Sequence, residues 1–222
     1  MSTYLPVTHH ITLLRHGKSQ ANEQNVLQGQ MDSPLSPEGI HQSRALGEYW
    51  LSQSITFDRI ISSPLGRAYE TARILSELLS IPIELDDHWM EREFGEAEGL
   101  LYEEIFSRFK ELPPRSIYEP AYESGESDWD LYIRAAKAVQ ILIYRPAGQY
   151  LVVSHGSIIN YAIYSIIGIT PQPSNHRLRF RFNNTGYSEL EYNAEDQKWT
   201  IQSHNRTYHL DYLHKSNDLP SE

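Results

Sequence analysis

Two short apolar runs, Ile11-Thr12-Leu13-Leu14 and Tyr150-Leu151-Val152-Val153, do most to limit what this chain can become. Both are too short for independent helices and are apolar at successive positions, the mark of a strand buried on both faces of a parallel sheet. Each ends in a histidine followed by a glycine, as Arg15-His16-Gly17 and Ser154-His155-Gly156. A polar loop is expected over 15–33, and the intervening chain beyond it alternates strand with helix. Leu35-Ser36-Pro37-Glu38-Gly39 supplies a serine N-cap and a proline at the first helical position, opening a helix to about Ser52. Residues 57–62 read as a second strand, 65–79 as a helix with Ala68, Ala72, Leu75 and Leu79 on one face, and 83–85 as a third strand. Helices are expected over 102–110, 130–144 and 157–167, and late strands over 177–182, 188–192 and 199–202. This order predicts an α/β fold of three α/β/α layers, with a mostly parallel central sheet and an antiparallel edge strand. One domain over 1–222 accounts for the chain, with a lid insertion around 100–128 where proline, tyrosine and acidic residues gather. The tail after Tyr208 is polar and is expected to be loose.

Composition excludes several function classes. The 222 residues carry a formal net charge of -10, which argues against a general nucleic-acid binder, since such binding is mainly neutralisation of phosphates by Lys and Arg. A local phosphate pocket is still allowed. There is no cysteine, hence no disulfide framework, no thiolate metal site and no thiolate nucleophile, and a reducing cytoplasmic setting fits. Only 151–169 approaches membrane length, and it contains Ser154, His155, Ser157 and Asn160, so a strand followed by a helix is expected there and not a membrane span. The first ten residues lack the basic start and apolar run of a signal peptide.

Ligands of open α/β sheets sit beyond the carboxyl ends of the strands. There the first strand presents Arg15 and His16, and the strand at 150–154 presents His155. Ser62-Ser63-Pro64-Leu65-Gly66-Arg67 places Arg67 at a helix start, and Glu91 lies in the loop after the third strand. Two histidines, two arginines and a carboxylate around one crevice suit phosphoryl transfer. The cations would hold the equatorial oxygens, an imidazole would attack, and a carboxyl would serve the leaving oxygen. A cation 4 Å from a negative charge is worth about 4 kcal/mol near a protein surface, while charges beyond about 8 Å are mostly screened, so the local cluster outweighs the net acidity.

These residues stand in ordered blocks. Leu14-Arg15-His16-Gly17 is followed by Ser19, Asn22, Gln28-Gly29, Asp32-Ser33-Pro34-Leu35-Ser36 and Gly39; then come Ser62 to Ala68 with Glu70-Thr71-Ala72, Glu91 with Phe94-Gly95 and Glu98-Gly99, Gly125-Glu126-Ser127, and Val153-Ser154-His155-Gly156. Together they resemble the histidine phosphatase superfamily, the phosphoglycerate mutase-like proteins. The resemblance implies that His16 is the nucleophile and forms a phosphohistidine. It further implies that Arg15, Arg67 and His155, helped by Asn22, hold the phosphoryl oxygens, and that Glu91 is the general acid and base. Gln28, Gly29 and Gly156 would line the substrate site. No metal or cofactor is implied, and the partner is a small phosphorylated substrate, with a homodimer left open. Two arginines beside His16 should lower its pKa and keep the ring neutral. Two positions depart from the family pattern: Lys18 stands where an acidic or amide residue is usual, and Ala97 where its phosphatases often have tryptophan.

Hydrolysis of phosphomonoesters is the expected activity. The alternative is a cofactor-dependent phosphoglycerate mutase, which by the same resemblance carries a longer basic insert between the counterparts of Glu91 and His155. Here that interval is short and acidic, with Glu103, Glu104, Glu119, Glu123 and Glu126. A noncatalytic phospholigand-binding protein would usually lack one of His16, Arg15, Arg67 or His155, and all four are present. Elsewhere, His204, His209 and His214 recur every five residues, which neither a helix nor a strand places on one face, so no metal site is expected. His9-His10 reads as an exposed pair, and Tyr102, Tyr118, Tyr122 and Tyr132 as packing and rim residues.

Overall fold

A computed structural model describes residues 7–109, 115–172 and 178–211. Apolar alternation builds its centre. In β1 (Thr8–Arg15), Ile11 and Leu13 face one side and Leu14 the other; in β4 (Gln149–Ser154), Val152 opposes Leu151 and Val153; in β2 (Arg59–Ser62), Ile61 opposes Ile60. Because side chains alternate with period two, both faces of these strands are apolar and each needs a helical cover. On one face lie α2 (Pro37–Ser52) and α3 (Gly66–Leu79), which bury Leu46, Trp50, Ala68, Ala72 and Leu75. On the other lie α5 (Asp128–Ile143) and α6 (Gly156–Ile167), which bury Leu131, Ala135, Leu142, Ile158 and Ile159. Each fully buried leucine contributes about 1.5–3 kcal/mol over its exposed state.

Among the described residues the sheet has six strands in the order β3-β2-β4-β1-β5-β6, where β3 is Ile83–Leu85, β5 is Tyr187–Asn193 and β6 is Lys198–Arg206. The first four run parallel, while β5 is antiparallel to β1 and β6 to β5. Short helices α1 (Gln20–Glu23) and α4 (Tyr102–Arg108) lie in the loops beyond the sheet. The Ser36 hydroxyl accepts the Gly39 N–H at 3.1 Å with Pro37 at the first helical position, as the sequence predicts. No helix among the described residues is long and apolar enough to cross a membrane.

Four expectations are corrected. Residues 178–182 form no strand: Asn160 bonds both the N–H and the carbonyl of Phe180, and Arg15 takes the Phe182 carbonyl, so side chains occupy groups a sheet partner would use. Residue 177 lies outside the described residues. His9 and His10 are not an exposed pair. Strand alternation turns His9 inward, 2% exposed between Tyr150 and Tyr192 with Nε2 on the Arg145 carbonyl, and leaves only His10 outside. The loop from 15 to 33 contains α1, capped by Ser19. The tail is packed as far as His209, which is fully buried against Thr185; His214 and the rest beyond 211 lie outside the described residues.

Candidate active site

The chain continues the sheet one bond past β1, His16 N–H donating to the Ser154 carbonyl at 2.9 Å, and then turns away. Gly17 N–H donates to the Thr71 hydroxyl and Lys18 N–H to the Gln42 side-chain oxygen, tying the turn to α3 and α2. This turn rests directly on α2 backbone. A methyl group on Gly39 would stand 2.0 Å from the Lys18 carbonyl oxygen, and one on Gly17 2.6 Å from the Gly39 carbonyl oxygen. Since both opposing atoms are backbone, neither can swing aside. Gly39→Ala should therefore move the His16 turn, lowering kcat/KM at least about tenfold and stability by about 1–3 kcal/mol; phosphatase kinetics and urea denaturation together check this. Unaltered kinetics would show that the turn tolerates displacement.

His16 is buried, and its Nδ1 lies 2.6 Å from the Gly17 carbonyl oxygen. A carbonyl can only accept, so Nδ1 bears the proton and the lone pair of the neutral ring sits on Nε2. The His155 ring lies 5.1 Å away, centroid to centroid, with Nε2 2.8 Å from the Ser63 hydroxyl and Nδ1 buried without a partner among the described residues. Two guanidiniums flank the pair. Arg15 bonds the Phe182 carbonyl at 2.8 Å; Arg67, 1% exposed, bonds the carbonyls of Gly29 at 2.7 Å and Met31 at 3.0 Å. The Nε of each is buried and has no partner among the described residues.

The Gly29 carbonyl is aimed by an acid underneath it. Glu98 accepts N–H bonds from Gln30, Met31 and Phe94, and Gly29 has φ +53° with no room for a side chain, since a methyl there would stand 1.9 Å from the Glu98 carboxylate. Gln28 accepts the Ser19 hydroxyl at 2.7 Å. Asn22 Oδ1 accepts the Ser19 N–H and the Asn184 amide, and Asn184 also donates to the His16 carbonyl. Glu91 is seated on the N-terminus of α6. Its carboxylate accepts from the N–H groups of Arg92 at 2.8 Å, Ser157 at 3.1 Å and Ile158 at 3.2 Å, a position that also favours negative charge through the helix dipole.

Burial is the largest influence on both histidines, holding them well below their ordinary pKa, and the positive charges of Arg67 and Arg15 push in the same direction. The expected depression of His16 is present, but desolvation outranks the arginines as its cause. Burial also lowers Arg67 to about 10, opposed by the charge of Glu91. Lys18 is held by Glu38 at 2.5 Å, chiefly a hydrogen bond that raises its pKa.

A cavity of about 890 Å³ gathers Arg15, His16, Asn22, Gln28, Gly29, Arg67, Glu91 and Gly156, all named from the sequence. His155 adjoins it behind His16 and does not line it. Sequence reasoning missed Arg179, Arg181 and Asn184, which line the same cavity. They precede β5, and an antiparallel strand begins at the edge where its parallel neighbours end. Inspection of residues after strands alone passes over them. The arrangement offers a neutral imidazole, fixed cations and a carboxylate around a space large enough for a small ester.

A family model described as histidine phosphatase superfamily (branch 1) matches residues 11–207. The "Uncharacterized phosphatase PhoE" of Bacillus subtilis (strain 168) is 34% identical over 200 residues, covering 90% of this chain and 96% of that protein. The "Probable phosphoglycerate mutase GpmB" of Enterobacter sp. (strain 638) is 30% identical over 208 residues, covering 90% and 94%. Among solved structures, Bacillus stearothermophilus YhfR superposes with a TM-score of 0.77 at 25% identity, covering 91% of this chain and 99% of that one.

Proposed function

Because the chain belongs to branch 1 of the histidine phosphatase superfamily, we propose that it is a cytosolic phosphatase hydrolysing phosphomonoesters of small metabolites through a phosphohistidine on His16. The observation that carries this reading is the bond from His16 Nδ1 to the Gly17 carbonyl, which leaves Nε2 with the lone pair beside two guanidiniums. Nε2 attacks phosphorus, a P–N bond forms and the ester P–O bond breaks. Arg15 and Arg67 hold the equatorial oxygens with the donors that the protein leaves unpaired, helped by Asn22 and His155. The ester enters as its monoanion and passes its proton to Glu91, which hands it to the departing alkoxide and is left as the carboxylate. Water then attacks the phosphohistidine while Glu91 takes its proton, and the P–N bond breaks to release inorganic phosphate and free His16. Gln28, Gly29 and Gly156 bound the substrate. Tyr102 and Tyr122, which line the cavity, support a covering role for the described parts of the 100–128 excursion of this single domain, residues 110–114 lying outside the described residues.

Hydrolysis is favoured over mutase action by the short acidic interval after Glu91, where Glu104 caps α4 and Glu126 is spent on Arg134. Glu91→Gln removes the proton donor. It should slow alkyl phosphates about 100-fold or more and p-nitrophenyl phosphate far less, because help to the leaving group matters most for basic alkoxides. Uniform loss would deny Glu91 that role. The same assay with 3-phosphoglycerate and its bisphosphorylated primer should release phosphate; rapid isomerisation would assign the mutase activity instead.

A further inference from the structure

The cavity is strongly positive although the protein is strongly negative. Its wall holds Arg15, Arg67, Lys18, Arg179 and Arg181 against the carboxylates Glu38 and Glu91, in a chain of net charge -10. Three of the five cations are accounted for. Arg15 and Arg67 bond carbonyls beside His16, and Lys18 pairs with Glu38. Arg179 and Arg181 remain: both are exposed, both line the cavity, and neither side chain has a hydrogen bond or ion pair among the described residues.

They are nevertheless not carried on a free strap. Phe180 is bonded through both backbone groups to Asn160 at 2.7 and 2.8 Å, and the Phe182 carbonyl is bonded to Arg15. Phe180 and Phe182 pack edge-on against His204, at 5.6 and 4.9 Å. The whole segment from Arg179 to Phe182 lines the cavity, so the two arginines stand on a wall whose backbone is fixed at Phe180 and Phe182. Like charges on the same wall repel, and Arg179 also acts unfavourably on Arg15. Unpaired, mutually repelling cations on a pinned segment form a site for an anion.

We propose that Arg179 and Arg181 form a second anion subsite, which selects phosphomonoesters whose leaving group carries a further anionic oxygen group, a carboxylate or a second phosphate. The inference rests on the phosphatase reading of the site, with His16 taking the scissile phosphoryl group and the two arginines taking the distal charge. Specificity of this kind appears as a ratio of kcat/KM values.

Three aryl esters with leaving groups of similar basicity test it: 4-(carboxymethyl)phenyl phosphate, its primary amide, and 4-(phosphonomethyl)phenyl phosphate. At low salt, kcat/KM for the carboxylate or phosphonate should exceed that for the amide by about tenfold (about 1.4 kcal/mol), and the larger of the two ratios identifies the preferred anion. High salt should shrink the ratio because the site is exposed. The double variant Arg179→Gln, Arg181→Gln should bring the ratio near one, while Arg179→Lys, Arg181→Lys should keep most of it. The amide ester reports within each variant on any general damage. A ratio near one in the unaltered protein, or one that survives the double glutamine variant, overturns the subsite while leaving His16-dependent hydrolysis intact. Failure to hydrolyse any of the three esters overturns the phosphatase reading and the subsite with it.

Discussion

His16→Ala should lower p-nitrophenyl phosphate hydrolysis by at least about 10³-fold, because no other group in the cavity can replace a nucleophile whose loss elsewhere costs far more than the loss of a binding contact. Folding should survive the change. Among the described residues, the one hydrogen bond of the His16 side chain goes to the carbonyl of the next residue, Gly17, so removing the ring unpins none of their distant segments, and the ring borders a cavity that water can fill. Chemical trapping gives a second readout. Denaturing quench with a labelled ester should leave acid-labile, base-stable phosphate on the unaltered protein and none on His16→Ala. Equal rates, or equal labelling, would remove the proposed mechanism.

Acid should destabilise the free protein steeply. His16 and His155 are held well below their ordinary pKa by burial first and by neighbouring cations second, and burial brings His209 to about 4. The sign follows from proton uptake. As pH falls through about 6.5, the unfolded chain takes up protons at these positions before the folded chain does, so the stability present above that pH is lost as it drops toward the folded pKa values. His209, neutral in the folded chain down to about pH 4, should by itself cost about 1.4 kcal/mol between about pH 7.5 and pH 5.5, and His16 and His155 add losses of the same sign to a domain held by roughly 5–15 kcal/mol. Urea denaturation at the two pH values measures the loss. His209→Gln can keep a partner at Thr185 Oγ1 and isolates one of the three; its loss should be smaller by about 1.4 kcal/mol, since carboxylate contributions are common to both proteins and cancel in the difference. An unchanged pH dependence in that variant would show that His209 is not buried neutral.

Much of the scaffold was legible because its determinants are local. Consecutive apolar positions at 11–14 and 150–153 define strands with two buried faces, and the Ser36-Pro37 pair marks a helix start whichever domain contains it. No local pattern marks His9 as buried, since Tyr150 and Tyr192 cover it only after β4 and β5 join β1. Local pattern misleads over the stretch before β5 for a related reason. Phe180 and Phe182 alternate with Arg179 and Arg181 as strand residues do, yet their backbone groups are taken by Asn160 and Arg15 from distant parts of the chain. Nor does any local pattern reveal that Glu98 supports the carbonyl that seats Arg67.

From its residues alone the chain determined where most strands and helices form, which of their faces are apolar, and which side chains follow each parallel strand, because these depend on neighbours a few positions away. Tertiary structure decided which nitrogen of His16 is free, that Glu91 rests on the N-terminus of α6, and that an antiparallel strand delivers two more arginines to the same cavity. The Gly17 carbonyl that takes the His16 proton is next in sequence, but its turn is held by Thr71 from α3; Glu91 and Ser157 stand 66 residues apart, and sheet order and strand direction bring such partners together.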